Sequence, residues 1–260
     1  MLDFLNDLNG WTIALGTFPL LLAALEVGFR HGRRTSRHVP PDDRPQVGTV
    51  QGAVLGLLAL LLGFSFAMAA TRFEVRKQVV LDEANALGTA YLRTRLLPQP
   101  QRAEAAEKLR EYTAVRVSGY RRGATAADVA ATDRELVRLQ GVLWELAGQA
   151  LDRNPESEAA ALFAESLNDV IDLHEKRVCS LENHVPPVIV LVLVVASAAA
   201  LALTGYGGGL SGVRNVVPNG VAAVLVVVVL GLVIDLDRPG QGLIQIGQKS
   251  FTRLQAGMAN

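Results

Sequence analysis

The chain has 260 residues, half of them hydrophobic and only 19% charged, with 25 Lys+Arg balancing 25 Asp+Glu. Its apolar content is aliphatic and gathered in blocks, which excludes a disordered, collagenous or disulfide-scaffold chain and points to membrane spans. Balanced charge makes no electrostatic case for nucleic acid, and the single Cys179 excludes an internal disulfide or a cysteine-based zinc site.

A bilayer core needs roughly 20 apolar residues in a helix, and four blocks meet that length. The first runs from Trp11 to Phe29 with one acid, Glu26. Asp3 and Asp7 precede it where a secretory signal would be basic, and the basic stretch Arg30 to Arg37 follows it instead of a cleavage site. It therefore reads as a retained membrane helix. The second block, Val47 to Thr71, carries no charge. Beyond it Phe73, Val80, Ala84, Leu87 and Tyr91 recur at helical spacing, so this span continues unbroken into the aqueous phase until Pro98 and Pro100 stop it.

Two further helices are expected over Arg102 to Arg121, ending near Gly123, and over Ala126 to Leu151, ending at Asn154-Pro155. A last insert helix carries Leu162, Phe163, Leu167, Val170, Ile171, His174 and Val178 on one face and feeds the third span. That span, Val185 to Tyr206, opens with Pro186-Pro187, residues suited to a first helical turn. Gly205 to Gly209 lacks the Lys-Ser/Thr of a phosphate loop and reads as a flexible hairpin turn. The fourth span, Val216 to Ile234, is closed by Asp235 and Asp237. Its β-branched run would suit a buried strand in water, but in lipid a helix satisfies its own backbone. Strand alternation is absent. The expected fold is an all-α integral membrane protein of four transmembrane helices, with a helical insert between the second and third. The divisions are a membrane hairpin over 1–71, the insert over 72–184, a second hairpin over 185–236 and a C-terminal tail over 237–260.

Orientation follows from basic residues. The loops after spans one and three hold Arg30, Arg33, Arg34, Arg37, Arg44 and Arg214. The other side holds Arg72, Arg76, Lys77, Lys176, Arg177, Arg238, Lys249 and Arg253, a count of 8 against 6 that favours a cytoplasmic insert.

The second span, Leu55-Gly56-Leu57-Leu58-Ala59-Leu60-Leu61-Leu62-Gly63-Phe64 followed by Arg72-Phe73 and Arg76, resembles the pore helix of bacterial bestrophins. Asp235-Leu236-Asp237-Arg238-Pro239-Gly240-Gln241-Gly242 is similar to the acidic segment after the last bestrophin span. Glu83 to Arg93 (EANALGTAYLR) resembles the signature of the bacterial bestrophin-like domain family more closely still. Ser65 stands where bacterial bestrophins usually place Arg, Phe73 replaces Trp, and no acidic run follows Asp237, so the calcium clasp of animal bestrophins is not implied. The resemblance implies a cytoplasmic insert and a ring of copies, pentameric in bestrophins.

Without the family, Gly52, Gly56, Ala59 and Gly63, continued by Ala67 and Ala70, form a small-residue stripe that lets helices approach in lipid. Leu57, Leu60, Phe64 and Met68 lie on another side. Either both faces simply pack, or copies pack through the stripe and leave those four around a hydrophobic neck that gates by dewetting. Glu26 is either paired with Arg30 four residues on or handles ions. Asp235 and Asp237 are interfacial caps or a vestibule; Asp82, Glu83 and Asn85 are a solvated face or the wall of an inner ion vestibule. His174 and His184 lack metal-pair spacing, and no nucleophile–base arrangement suggests an enzyme, a metal or a cofactor. Two functions stay open: an oligomeric channel for small monovalent ions in the bacterial inner membrane, or a non-conducting scaffold whose insert binds a cytoplasmic partner. The partners implied are the bilayer, further copies of the chain and monovalent ions.

Overall fold

The structure, a computed structural model, describes residues 10–120, 124–238 and 242–259. The expectations resting on Asp3, Asp7, Arg121, Gly123, Pro239, Gly240 and Gln241 lie outside these. Eight α-helices occur among the described residues: α1 Gly10–Thr35, α2 Arg44–Arg93, α3 Gln101–Gly119, α4 Ala126–Arg153, α5 Glu158–Glu182, α6 Pro187–Ser211, α7 Val216–Asp237 and α8 Lys249–Ala259. No strand is found among these residues. Four helical segments are long and apolar enough to cross a membrane, as the four blocks require. The second span does run on without a break, giving α2 a length of 50 residues. Two compact units result: Met1–Phe73 with His184–Ile244, and Glu74–Asn183 with Gln245–Asn260.

In the first unit the buried core joins Ala14 and Leu21 of α1, Leu58 and Leu62 of α2, Leu193, Ala200 and Leu201 of α6, and Ala223, Val227 and Leu230 of α7. The closest approach is between α1 and α6, and glycine makes it. A Cβ added at Gly28 would fall on the carbonyl oxygen of Ala202, and one at Gly32 on that of Tyr206. Reciprocally, Gly205 faces the Leu25 carbonyl and Gly209 the Phe29 carbonyl. Two four-residue glycine spacings thus interlock, the small-residue device by which helices associate where lipid supplies no hydrophobic drive. This corrects the reading of Gly205 to Gly209 as a hairpin turn: the segment is helical to Ser211, and the turn comes at Gly212, whose φ of 72° is the left-handed helix cap. The Val213 N–H donates to the Gly208 carbonyl at 3.2 Å to close it.

The second unit packs Leu87 and Ala90 of α2, Leu109 and Tyr112 of α3, Leu136, Leu139 and Leu143 of α4, and Phe163 and Leu167 of α5. A Thr125–Asp128 capping box starts α4, and the Ser157 hydroxyl accepts from the Ala160 N–H at the start of α5. Two expectations are corrected here. Helix α5 does not feed the third span, because residues 183–186 are non-helical and Pro186 and Pro187 carry no N–H to continue the ladder. Nor is the whole C-terminal segment a bare tail. Helix α8 buries Phe251 in this core, and the carbonyl of Met258 accepts from Tyr91 Oη at 3.1 Å and Arg110 Nε at 2.9 Å.

The interlocked glycines give a direct test. Gly205→Val forces a branched side chain onto backbone and should cost about 1–3 kcal/mol, a fall of roughly 2–12 °C in thermal unfolding of the purified chain. Gly16→Ala, where an added Cβ meets nothing within 4 Å, should leave the midpoint unchanged.

Candidate functional site

The membrane part of α2 has three faces. Leu58, Leu62, Ser65 and Ala69 are buried against the chain's own helices. At roughly 100° per residue, the small-residue face Gly52, Gly56, Ala59, Gly63 lies about 120° to one side. The face Leu57, Leu60, Phe64, Met68 lies about 120° to the other. An added Cβ at Gly52, Gly56 or Gly63 would meet nothing, so this stripe is open in the single chain, unlike the α1–α6 glycines. Leu57, Leu60 and Phe64 are exposed, Phe64 at 66%, and Met68 is half-buried. Past Phe73 the buried seam continues through Arg76, Val80, Glu83, Leu87 and Ala90, while Gln78, Asn85 and Thr89 stay exposed on the other side.

The structure separates the acids that the sequence grouped. Asp82 is partly exposed and accepts from Gln78 Nε2 at 2.8 Å, and Asn85 is exposed. Glu83 turns the other way and is fully buried, which corrects its assignment to a vestibule wall. It accepts from Arg116 Nε at 3.2 Å, and Arg177 Nε lies 3.3 Å from the same oxygen. Both guanidinium groups are themselves buried and lie over the Tyr120 ring, at 4.2 Å and 4.3 Å. Arg177 Nη2 also meets Asp133 Oδ1 at 2.9 Å, so two carboxylates balance two arginines. A buried charge persists only when so paired. Sequence reasoning missed this cluster, because Arg116 and Arg177 lie on helices far along the chain and each looks like an ordinary surface arginine.

His174 belongs to the same core. Its Nδ1 lies 3.1 Å from Arg177 Nη2 and 3.4 Å from Tyr112 Oη, an acceptor role that a protonated ring could not fill. Burial, and then the nearby Arg177 charge, push its pKa below the usual histidine value.

Of the two readings of Asp235 and Asp237, their contacts fit caps on neighbouring backbone and not open vestibule acids. Both are buried. Asp235 accepts from the Leu243 and Ile244 N–H groups at 2.9 Å and 2.8 Å, and a Cβ at Gly242 would strike its carboxylate. Asp237 accepts from the Val185 N–H through both oxygens at 3.0 Å. Arg76, the second arginine of the span-two motif, donates to the Ser180 and Asn183 carbonyls at 2.8 Å and 2.9 Å and so caps α5. Glu26 does pair with Arg30, at 2.8 Å, and also with Arg214 at 3.0 Å. Among the described residues no cluster of three or more His, Cys, Asp or Glu could hold a metal, and Cys179 is exposed beside Glu175.

The profile of the bestrophin-like domain matches residues 18–251. Among solved structures, one of a bacterial bestrophin homologue from Klebsiella pneumoniae superimposes with a TM-score of 0.67 at 14% identity, covering 92% of this chain and 95% of that one. Another of a homologue from the same organism, carrying one substitution, gives 0.65 at 14% identity over 92% and 97%. Identities this low speak for the fold alone. Comparison with curated proteins by sequence gives no match.

Two outcomes follow from the buried cluster. Glu83→Gln leaves two buried guanidinium groups short of a counter-charge and should cost about 3–5 kcal/mol, read as a lowered unfolding midpoint. A histidine whose folded pKa is depressed binds its proton more readily in the unfolded chain, so stability should be full above pH ~6.5 and fall as pH drops below it. Unfolding midpoints between pH 7.5 and 5 check this, and His174→Gln should flatten the slope.

Proposed function

The chain belongs to the bestrophin-like family, and on that premise we propose that it is an oligomeric ion channel, several copies of α2 surrounding one axis. The observation that supports this most is the division of α2 into three faces. A helix that keeps its seam of Leu58, Leu62, Ser65 and Ala69 against its own chain can offer the small face to one neighbour and the large face to the other. The side directly opposite the seam then turns to the axis.

That side carries Gly56, Leu60 and Ala67, with Phe64 roughly 50° away. Leu60 and Phe64 sit one turn apart, about 6 Å in rise, and form two stacked apolar rings. A narrow apolar ring excludes water and puts a desolvation barrier before an ion without any blocking charge. Leu57 and Met68 turn toward the small face of the next copy. Further along α2 the same side carries Thr71, Glu74, Gln78, Asp82, Asn85 and Thr89. In a ring these are the polar groups a small monovalent ion meets next, and two of them are acids, Asp82 and the Lys77-paired Glu74. The insert is cytoplasmic in this reading and the ring is pentameric by analogy with bestrophins, in the inner membrane.

A second reading, a non-conducting scaffold, draws on Val137 and Trp144. They are both about half exposed and stand two turns apart on α4, a face that a partner could cover.

Phe64→Ala widens the ring and should raise ion flux into proteoliposomes, or open probability in bilayer recordings, whereas Ala59→Leu on the small face should disturb assembly. A Phe64→Ala protein that folds and assembles yet never conducts favours the scaffold. For topology, with Cys179 replaced, a cysteine at Ala124 should resist an impermeant thiol reagent in intact cells while one at Ser36 reacts. The reverse pattern would put the arginine-rich loop in the cytoplasm.

A further inference from the structure

One face of α1 changes its chemistry where the helix leaves the apolar block. Arg30, Arg33 and Arg34 stand at i, i+3 and i+4, and Arg37, in the turn just after Thr35, continues the spacing at i+7. All four are exposed. Two turns or more toward the N-terminus the same side carries Leu15, exposed at 61%, and closer to the arginines Val27, exposed at 65%. The opposite side holds Gly28 and Gly32 and is occupied by α6. The arginine stripe is therefore continuous with the surface that this span turns to acyl chains.

The acid on this face is already engaged. Glu26 is shared by Arg30 at 2.8 Å and by Arg214, which reaches it from the loop after α6 at 3.0 Å and lies over the Phe29 ring at 4.3 Å. Arg33, Arg34 and Arg37 have no acidic partner among the described residues, although Asp42 and Asp43 lie in the 3₁₀ turn that follows. Three unpaired guanidinium groups thus project at the depth where an apolar helix meets water. Guanidinium groups match phosphate oxygens with paired hydrogen bonds, and basic residues near a bilayer surface are drawn to its anionic lipids.

We propose that Arg33, Arg34 and Arg37, with the Glu26-bound Arg30 and Arg214 at their base, bind the headgroup of an anionic phospholipid whose chains lie along the Leu15–Val27 side of α1. An amphiphile suits this surface better than a soluble anion, because it meets the arginines and the apolar side at once. Free phosphate gains only the charge, which salt screens. The inference needs the spans to be in a bilayer and is independent of whether the protein conducts.

The test is thermal unfolding of the full detergent-solubilised chain with added phosphatidylglycerol, phosphatidylcholine or inorganic phosphate at equal ionic strength. Phosphatidylglycerol should raise the midpoint by about 5 °C over phosphatidylcholine. The triple variant R33Q/R34Q/R37Q should lose that rise, and R138Q, an exposed arginine of the other unit, should keep it. Should the triple variant not purify, R33Q and R37Q alone should each lose part of it. Equal responses to the two lipids, or a rise that survives loss of the three arginines, would overturn the proposal. A rise reproduced by inorganic phosphate would overturn it too, since the ligand would then be a free anion.

Discussion

A helix of fifty residues turns its whole circumference to its surroundings, and this chain covers one seam of α2. From Leu58 to Ala90 the buried positions recur three or four residues apart on one side, while Gly52 to Gly63 and Leu57 to Phe64 stay open. In lipid, exposed leucine carries no penalty, so exposure alone does not call for a partner. The open glycines are the stronger indication. Elsewhere in the same unit glycines are where backbones touch, Gly28 and Gly32 against Gly205 and Gly209, and the Gly52–Gly63 face has the same chemistry with nothing on it. In the proposed ring, the large apolar face of the next α2 is the surface that would cover it.

Around that helix the charged residues serve structure. Glu83 joins α2 to α3 and α5 through Arg116 and Arg177, Arg76 ends α5, and Asp235 and Asp237 hold the backbone of neighbouring segments. Each satisfies groups that burial or a helix end would leave unpaired. On α2 this leaves Glu74 and Asp82 as acids of the open side in the second unit, which narrows the question of what an ion would meet there.

Much of this was legible in the sequence, and the failures share a cause. Block length and apolar content located all four spans, and the helical spacing from Phe73 to Tyr91 located the continuation of α2. Glu26 with Arg30 was readable because both lie on one helix. What one helix could not reveal was a partner distant in sequence. Glu83 looked like a neighbour of Asp82 and Asn85 because spacing alone does not say which side of α2 the insert helices cover. Gly205 to Gly209 looked like a turn because glycine carries no side chain whose periodicity could mark a packed face. Helix α8 did leave a signal, Phe251, Leu254 and Met258 at three- and four-residue steps, which the glycines and proline before it obscured.

The central claim is that α2 completes its surface with copies of itself around an axis. Native mass spectrometry of the protein released from lipid nanodiscs measures this most directly. Closed rings should give one dominant assembly of more than two chains, with Gly52→Leu, on the small face and away from the axis, shifting it to smaller species while the fold is retained. Monomers alone at every lipid and protein concentration would contradict it.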